Sequence, residues 1–215
     1  MERFFSLDMP AWRFAWNTLV ASILGLLPLL VLYVALTPGF AAHLFAGGFT
    51  LGRFIRQVLT NGLPVVFVIN YVGFFLFAWA NDRHPSGRGL GLVLLLDMPI
   101  RVILFIVLHA VIYVISADWF GSFGGSRLTA LRTVAPTLAQ SALLQNISGV
   151  YLYATLISAL PLYVTAIEGS DRFGKLLNRL PGRTGPLLGA LAIFAFFAGL
   201  LTAAAKLIER LQAGI

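Results

Sequence analysis

The chain has no cysteine and few charged residues. Without cysteine it has no disulfide, no thiolate metal site and no cysteine nucleophile. Asp, Glu, Lys and Arg make up 11% of its 215 residues, against about 25% in soluble domains. The eight acidic residues form no cluster along the sequence. The chain therefore has few residues of the kinds that form ordinary catalytic or metal sites.

Recognised catalytic motifs are also missing from the sequence. It contains no glycine-rich phosphate loop, no HExxH and no GxSxG. We therefore expect a protein that is not an enzyme. An intramembrane lipid-modifying enzyme built from Asp97, His109 and a serine stays open as an alternative, although no spacing in the sequence supports it.

Apolar residues, by contrast, are abundant and occur in long runs. They account for 59% of the chain, and a bilayer core is crossed by roughly 20 mostly apolar helical residues. The sequence predicts an all-α polytopic membrane protein with one transmembrane domain, residues 1–215. Its five spans are predicted at about 16–36, 63–80, 90–115, 142–167 and 187–205. The first run exceeds the apolar core of a signal peptide, so we interpret it as a retained span.

The segments between the spans contain amphipathic patterns. Apolar residues recur at helical spacing over residues 51–59 and 173–180, and a third short helix is predicted around 127–133. We expect these helices to lie on the membrane surface, separate from the spans. Their cations are expected to contact lipid headgroups, and those of the first and second helices are Arg53, Arg56, Arg172, Lys175 and Arg179.

The net charge of +7 does not indicate a nucleic-acid partner. The arginines fall in short loops between apolar runs, which is the pattern of membrane topology. Five spans place eight Lys and Arg residues on the side of the N-terminus and six on the other. The positive-inside rule then predicts a cytoplasmic N-terminus. Arginine preference over lysine, with abundant Ala, Leu and Gly, is typical of a GC-rich bacterium and so predicts a bacterial inner membrane.

Asp97 and Arg101 are the charged residues predicted inside a span. Four residues correspond to about 40° of helical rotation, so both side chains share one face. Charges at membrane depth are costly and usually face a partner, a cavity or a pathway. The pair therefore indicates an ion or proton pathway, an anionic substrate site at Arg101, or a structural pair with Arg101 reaching toward the headgroups.

Further polar residues are predicted inside the bundle. His109 is interpreted as a neutral histidine bonded to another helix or as a proton carrier. In the fourth span Ser141, Gln145, Ser148, Leu152, Thr155 and Ala159 predict one small and polar stripe, which favours close helix packing or lines a cavity. The polar candidates beside the charged pair are Asn70, His109, Gln145, Asn146, Ser148 and Thr155.

The fifth span carries the small pair Ala195 and Gly199, a pattern typical of helix packing within the chain or against a partner. The sequence thus predicts foremost a non-catalytic accessory or assembly subunit of a larger bacterial inner-membrane complex. Its expected partners are the lipid bilayer and membrane proteins. The alternative is a small permease, channel or transporter component with a polar path through the third and fourth spans. No cofactor is predicted, although a lipid, quinone or pigment between the helices stays open.

Overall fold

The computed structural model describes residues 4–83, 88–115, 127–169 and 180–214. Every regular element in these ranges is helical. Five helical stretches are long and apolar enough to span a membrane, so the chain is a multi-pass membrane protein. These stretches are Ala11–Leu36, Gly48–Asp82, Val93–Ile115, Ile147–Glu168 and Thr184–Gln212. The predicted fold class is confirmed.

The first half of the chain forms two antiparallel spans and a connection between them. Helix α1 (Ala11–Leu36) is followed by the short helix α2 (Phe40–Phe45) and then by α3 (Gly48–Gln57). A π-helical turn, Val58–Gly62, joins α3 directly to α4 (Leu63–Arg83). The amphipathic helix predicted over residues 51–59 is therefore present within α3 and the π turn, but it is continuous with the second span rather than separate from it. A stretch of 35 residues at about 1.5 Å per residue is longer than the hydrocarbon core, so one end of it projects beyond the core.

The π turn carries the helix through Asn61 and Gly62, just before the predicted start of the second span at residue 63. Backbone groups in a membrane need internal partners, so a local change of helical geometry is favoured over an open turn. Gly62 also lies against the ring of Tyr151, and a Cβ at this position would overlap that ring.

The second half holds the remaining helices. Helix α5 (Arg88–Ile115) runs without a break through Pro99, and α6 (Arg127–Ala142) follows outside the predicted fourth span. The fourth span itself consists of α7 (Ile147–Ser158) and α8 (Leu160–Glu168), which meet at Ala159. The last span is α9 (Thr184–Gln212).

Two predictions about this half are wrong. The fourth span does not begin at residue 142, because a turn at 143–146 separates α6 from α7 and Leu144 adopts a φ of 56° there. The helix predicted at 127–133 continues to Ala142, and its last turn is buried against α9 rather than lying on the surface. The predicted interfacial helix around 173–180 lies almost wholly outside the described residues, which resume at Leu180.

Helix α7 occupies the centre of the bundle. It contacts α1, α4, α5 and α6, and every residue from Gly149 to Leu156 is buried. Helix α9 lies at the periphery against α6 and α8. Four of its residues, Gly185, Pro186, Ala190 and Ala205, are buried. The polar interior is therefore enclosed by α1, α4, α5, α7 and α8.

Candidate functional site

The charged pair of α5 lies inside the protein. Arg101 Nε donates a hydrogen bond to Asp97 Oδ2 over 2.6 Å. The exposed fractions of Arg101 and Asp97 are 0% and 4%. The prediction that both side chains share one helix face is confirmed, and Arg101 does not reach outward to the headgroups. Further hydrogen bonds to a buried ion pair help to offset the cost of removing its charges from water.

Neighbouring helices supply those bonds to Arg101. Its Nη1 donates to Asn70 Oδ1 of α4 at 2.5 Å and to the Thr155 carbonyl oxygen of α7 at 3.1 Å. The guanidinium carbon lies 5.1 Å from the centroid of the Phe74 ring, within cation–π range. Beside it, Gly73 leaves the room that the guanidinium fills, since a Cβ there would overlap Arg101 Nη2.

The network continues from Asn70 into α1. Asn70 Nδ2 donates to Ser22 Oγ at 2.9 Å, and Ser22 Oγ donates to the Thr18 carbonyl oxygen at 2.8 Å. Asn70, Ser22 and Thr18 are fully buried. The amide of Asn70 therefore bridges the charged pair to the first span, and four spans are joined through Arg101 and Asn70.

Tyr163 of α8 completes the network on the Asp97 side. Its hydroxyl donates to Asp97 Oδ2 at 2.6 Å, so this oxygen accepts from both Tyr163 and Arg101. Among the described residues, Asp97 Oδ1 and Arg101 Nη2 are buried without a hydrogen-bond partner. The ion pair is thus held through one carboxylate oxygen, and Tyr163 shares that oxygen.

In this arrangement one carboxylate oxygen of Asp97 accepts from both Arg101 and Tyr163. No group of three His, Asp or Glu side chains able to hold a metal ion occurs within the part of the chain that the structure describes. The residues of the network bind one another across helices.

His109 stands apart from this network. Its Nδ1 lies 3.0 Å from the Phe105 carbonyl oxygen on the same helix, and the two rings are 4.0 Å apart between centroids. The histidine is buried. The expectation of a bond to another helix is wrong at this nitrogen, because the preceding turn of α5 offers an acceptor at the usual i−4 position.

The predicted polar stripe of the fourth span is divided by the α6–α7 turn. Asn146 caps α7, because its Oδ1 accepts from Gly149 N at 3.0 Å, while its Nδ2 donates to the Thr137 carbonyl oxygen at 3.1 Å. Gln145 is exposed in the turn, and Ser148 is half-buried in the first turn of α7. Gln145, Asn146 and Ser148 therefore do not join Asp97 and Arg101, whereas Thr155 does through its carbonyl group.

Helix α7 packs closely against α1 at Ser158, which lies beside the predicted stripe. Ser158 Oγ donates to the Ala154 carbonyl oxygen at 2.6 Å and lies 3.3 Å from that of Ala21. A Cβ at Gly25 would overlap Ser158 Oγ. Close approach of small residues is the usual means of helix contact in membranes. The contacts of Ser158 and Gly25 are an example of such close packing.

The predicted lipid-contacting cations lie outside the polar network. Arg53 and Arg56 are exposed on α3, and the Arg53 guanidinium carbon lies 4.3 Å from the centroid of the Phe49 ring. Arg172, Lys175 and Arg179 lie outside the described residues. The small pair of α9 is also exposed, and a Cβ at Gly199 would meet no atom within 4 Å.

Sequence reasoning missed Ser22 and Tyr163, which complete the network on either side. Both are polar residues within apolar spans, which is a usable signal for a buried partner. That signal does not say which helix the side chain faces.

Comparison of the chain with known protein families, with curated proteins and with solved structures finds no match.

Proposed function

We propose that this chain is a non-catalytic accessory or assembly subunit of a larger bacterial inner-membrane complex, acting through helix packing and lipid contact. The observation that carries the proposal is the outer face of α9. Ala195, Gly199 and Ala203 are exposed there at four-residue spacing, and the packed residue Ala190 lies on the opposite side of the helix. Such a small-residue face allows a second helix to approach closely.

The polar interior supports the same proposal over the transport alternative. A permease needs polar groups that an ion or solute can reach, and Asp97, Arg101, Asn70 and Thr155 are buried and bonded to one another. The enzyme alternative needs a serine or carboxylate within reach of the histidine. The resolved bond of His109 runs instead to a backbone carbonyl of its own helix.

The α9 face is tested by purifying the tagged chain from its native membrane in mild detergent, followed by native mass spectrometry. We expect stoichiometric recovery of a larger membrane complex. Adding bulk on the face with Ala195→Leu and Gly199→Leu is expected to lower that recovery by about tenfold or more, because close helix contact is lost. The matched control is Ala204→Leu, which adds a similar side chain at another exposed position of α9. Recovery of the wild-type chain alone, or as a homo-oligomer, would contradict the proposal.

The proposed orientation, with a cytoplasmic N-terminus, has a direct test because the chain has no cysteine. Single cysteines are introduced as Asp8→Cys before α1 and as Gly47→Cys between α2 and α3, and both positions are exposed. In intact cells a membrane-impermeant maleimide is expected to label the second variant only, and permeabilisation should expose the first. Labelling of Asp8→Cys alone in intact cells would reverse the orientation.

A further inference from the structure

A cavity of about 440 Å³ lies between the end of α1 and the turn that joins α6 to α7. Its volume falls within the range of roughly 300–1,000 Å³ found for small-molecule sites. Its walls are mostly apolar and are formed by Leu29, Leu32, Tyr33, Leu36, Thr37, Pro38, Leu144, Gln145 and Val150. The cavity is separate from the network around Arg101, none of whose residues line it.

The lining is arranged for a molecule with one apolar and one polar part. Leu29 and Leu32 come from turns of α1 inside the first span. Thr37 and Gln145 come from positions just outside helices, at the end of α1 and before α7. The apolar wall thus extends toward the bilayer interior, and the polar groups lie where headgroups begin.

Basic residues stand at the same end of the bundle. The ring of Tyr33, a lining residue, lies 5.6 Å from that of Phe40 between centroids, and Phe40 lies 5.6 Å from Phe54 on α3. Helix α3 also carries Arg53 and Arg56, and both are exposed. Two aromatic contacts therefore connect the cavity wall to the helix that carries these cations, and cations near a membrane surface attract anionic headgroups.

We propose that the cavity binds an acyl chain of one anionic phospholipid, with its phosphate headgroup toward Arg53 and Arg56. A neutral amphiphile such as a quinone would fit the apolar wall but would gain nothing from the two arginines. The site deepens the lipid contact named in the proposed function, but it can be tested separately from the subunit role, since it involves α1, α3 and the α6–α7 turn rather than the outer face of α9.

The test uses the full purified chain in detergent, titrated with palmitoyl-oleoyl phosphatidylglycerol or with phosphatidylcholine carrying the same acyl chains. Native mass spectrometry counts the lipids retained. We expect one phosphatidylglycerol to be retained with about tenfold preference over phosphatidylcholine. Equal retention of the two lipids would mean that only annular lipid is bound, and it would overturn the proposal. Successive lipids bound with steadily falling occupancy, and none preferred as the first, would do the same.

Two variants separate the acyl chain from the headgroup. Leu32→Trp fills the cavity and is expected to lower phosphatidylglycerol retention by about tenfold. Leu27→Trp is its control, because Leu27 and Leu32 are 53% and 52% exposed on the same helix and Leu27 does not line the cavity. Arg53→Gln with Arg56→Gln is expected to remove the headgroup preference, whereas Lys206→Gln with Arg210→Gln on α9 should preserve it. Equal effects of a variant and its control would overturn the proposal.

A measurement on the unaltered chain keeps the test valid if a variant fails to fold. Phosphatidylglycerol with a photoactivatable diazirine in its acyl chain is crosslinked to the wild-type protein in vesicles of phosphatidylglycerol and phosphatidylcholine. We expect the label within residues 29–38 and 144–150. Labelling spread evenly over the exposed faces of α1 and α9 would contradict the proposal.

Discussion

Replacement of Arg101 by methionine is expected to lower the free energy of unfolding by about 3–5 kcal/mol. The variant leaves Asp97 as a buried carboxylate without its counter-charge, and it removes the donor that Asn70 Oδ1 and the Thr155 carbonyl accept from. Tyr163 still donates to Asp97 Oδ2, but one neutral hydrogen bond does not replace a cation. The measurement is reversible unfolding in mixed micelles of increasing SDS mole fraction, followed by far-UV circular dichroism.

A surface pair provides the matched control. Arg183 Nε lies 3.2 Å from Glu168 Oε1, and the Arg183 side chain is largely exposed. Glu168→Gln is expected to cost no more than about 1 kcal/mol, because exposed ion pairs contribute little. A loss for Arg101→Met as small as that of Glu168→Gln would contradict a structural role for the buried pair.

The double variant Asp97→Leu with Arg101→Met tests whether the unpaired carboxylate causes the loss of stability. Replacing a whole buried ion pair by apolar residues is often neutral or stabilising, whereas removing one partner leaves an uncompensated charge. We therefore expect the double variant to recover more than half of the stability lost by Arg101→Met alone. A double variant as unstable as the single one would show that the loss comes from packing around Phe74 and Gly73 rather than from the unpaired carboxylate.

The helices themselves were predictable because a bilayer sets their length and composition. Each apolar run meets the requirement that spanning backbone be helical, so the five spans follow from local sequence. The errors in the predicted spans lie at the ends of the helices. The sequence predicts a second span from residue 63, whereas the helix already runs through Asn61 and Gly62 in a π turn packed against Tyr151. Leu144 is an ordinary apolar residue, yet it adopts a positive φ in the turn that follows α6.

The candidate site was predictable to the extent that it is local. The spacing of Asp97 and Arg101 fixes their common face within one helix, and this contact is present. The bonds to Asn70, Thr155 and Tyr163 depend on how α4, α7 and α8 are rotated and displaced along α5. Those offsets arise from packing between helices and leave no fixed spacing in the sequence, which is why Ser22 and Tyr163 were missed.

Gly73→Ala is expected to destabilise the protein by about 1–3 kcal/mol, the usual cost of overpacking a filled interior. The added Cβ would overlap the Arg101 guanidinium. A flexible side chain normally moves aside at little cost, but this guanidinium is held by Asp97, Asn70 and the Thr155 carbonyl. The change is measured by the same micellar unfolding experiment.

The sign of the stability change distinguishes overlap of the added Cβ with Arg101 from the ordinary helix propensity of alanine. In a helix, alanine is normally more stable than glycine by about 0.5–1 kcal/mol. Gly199→Ala, where a Cβ meets no atom within 4 Å, is expected to show that gain. In the Asp97→Leu, Arg101→Met background no guanidinium fills the space beside Gly73, so Gly73→Ala should become neutral or stabilising there. A cost that persists unchanged in that background would show that Gly73 is required for a reason other than the room it leaves for Arg101.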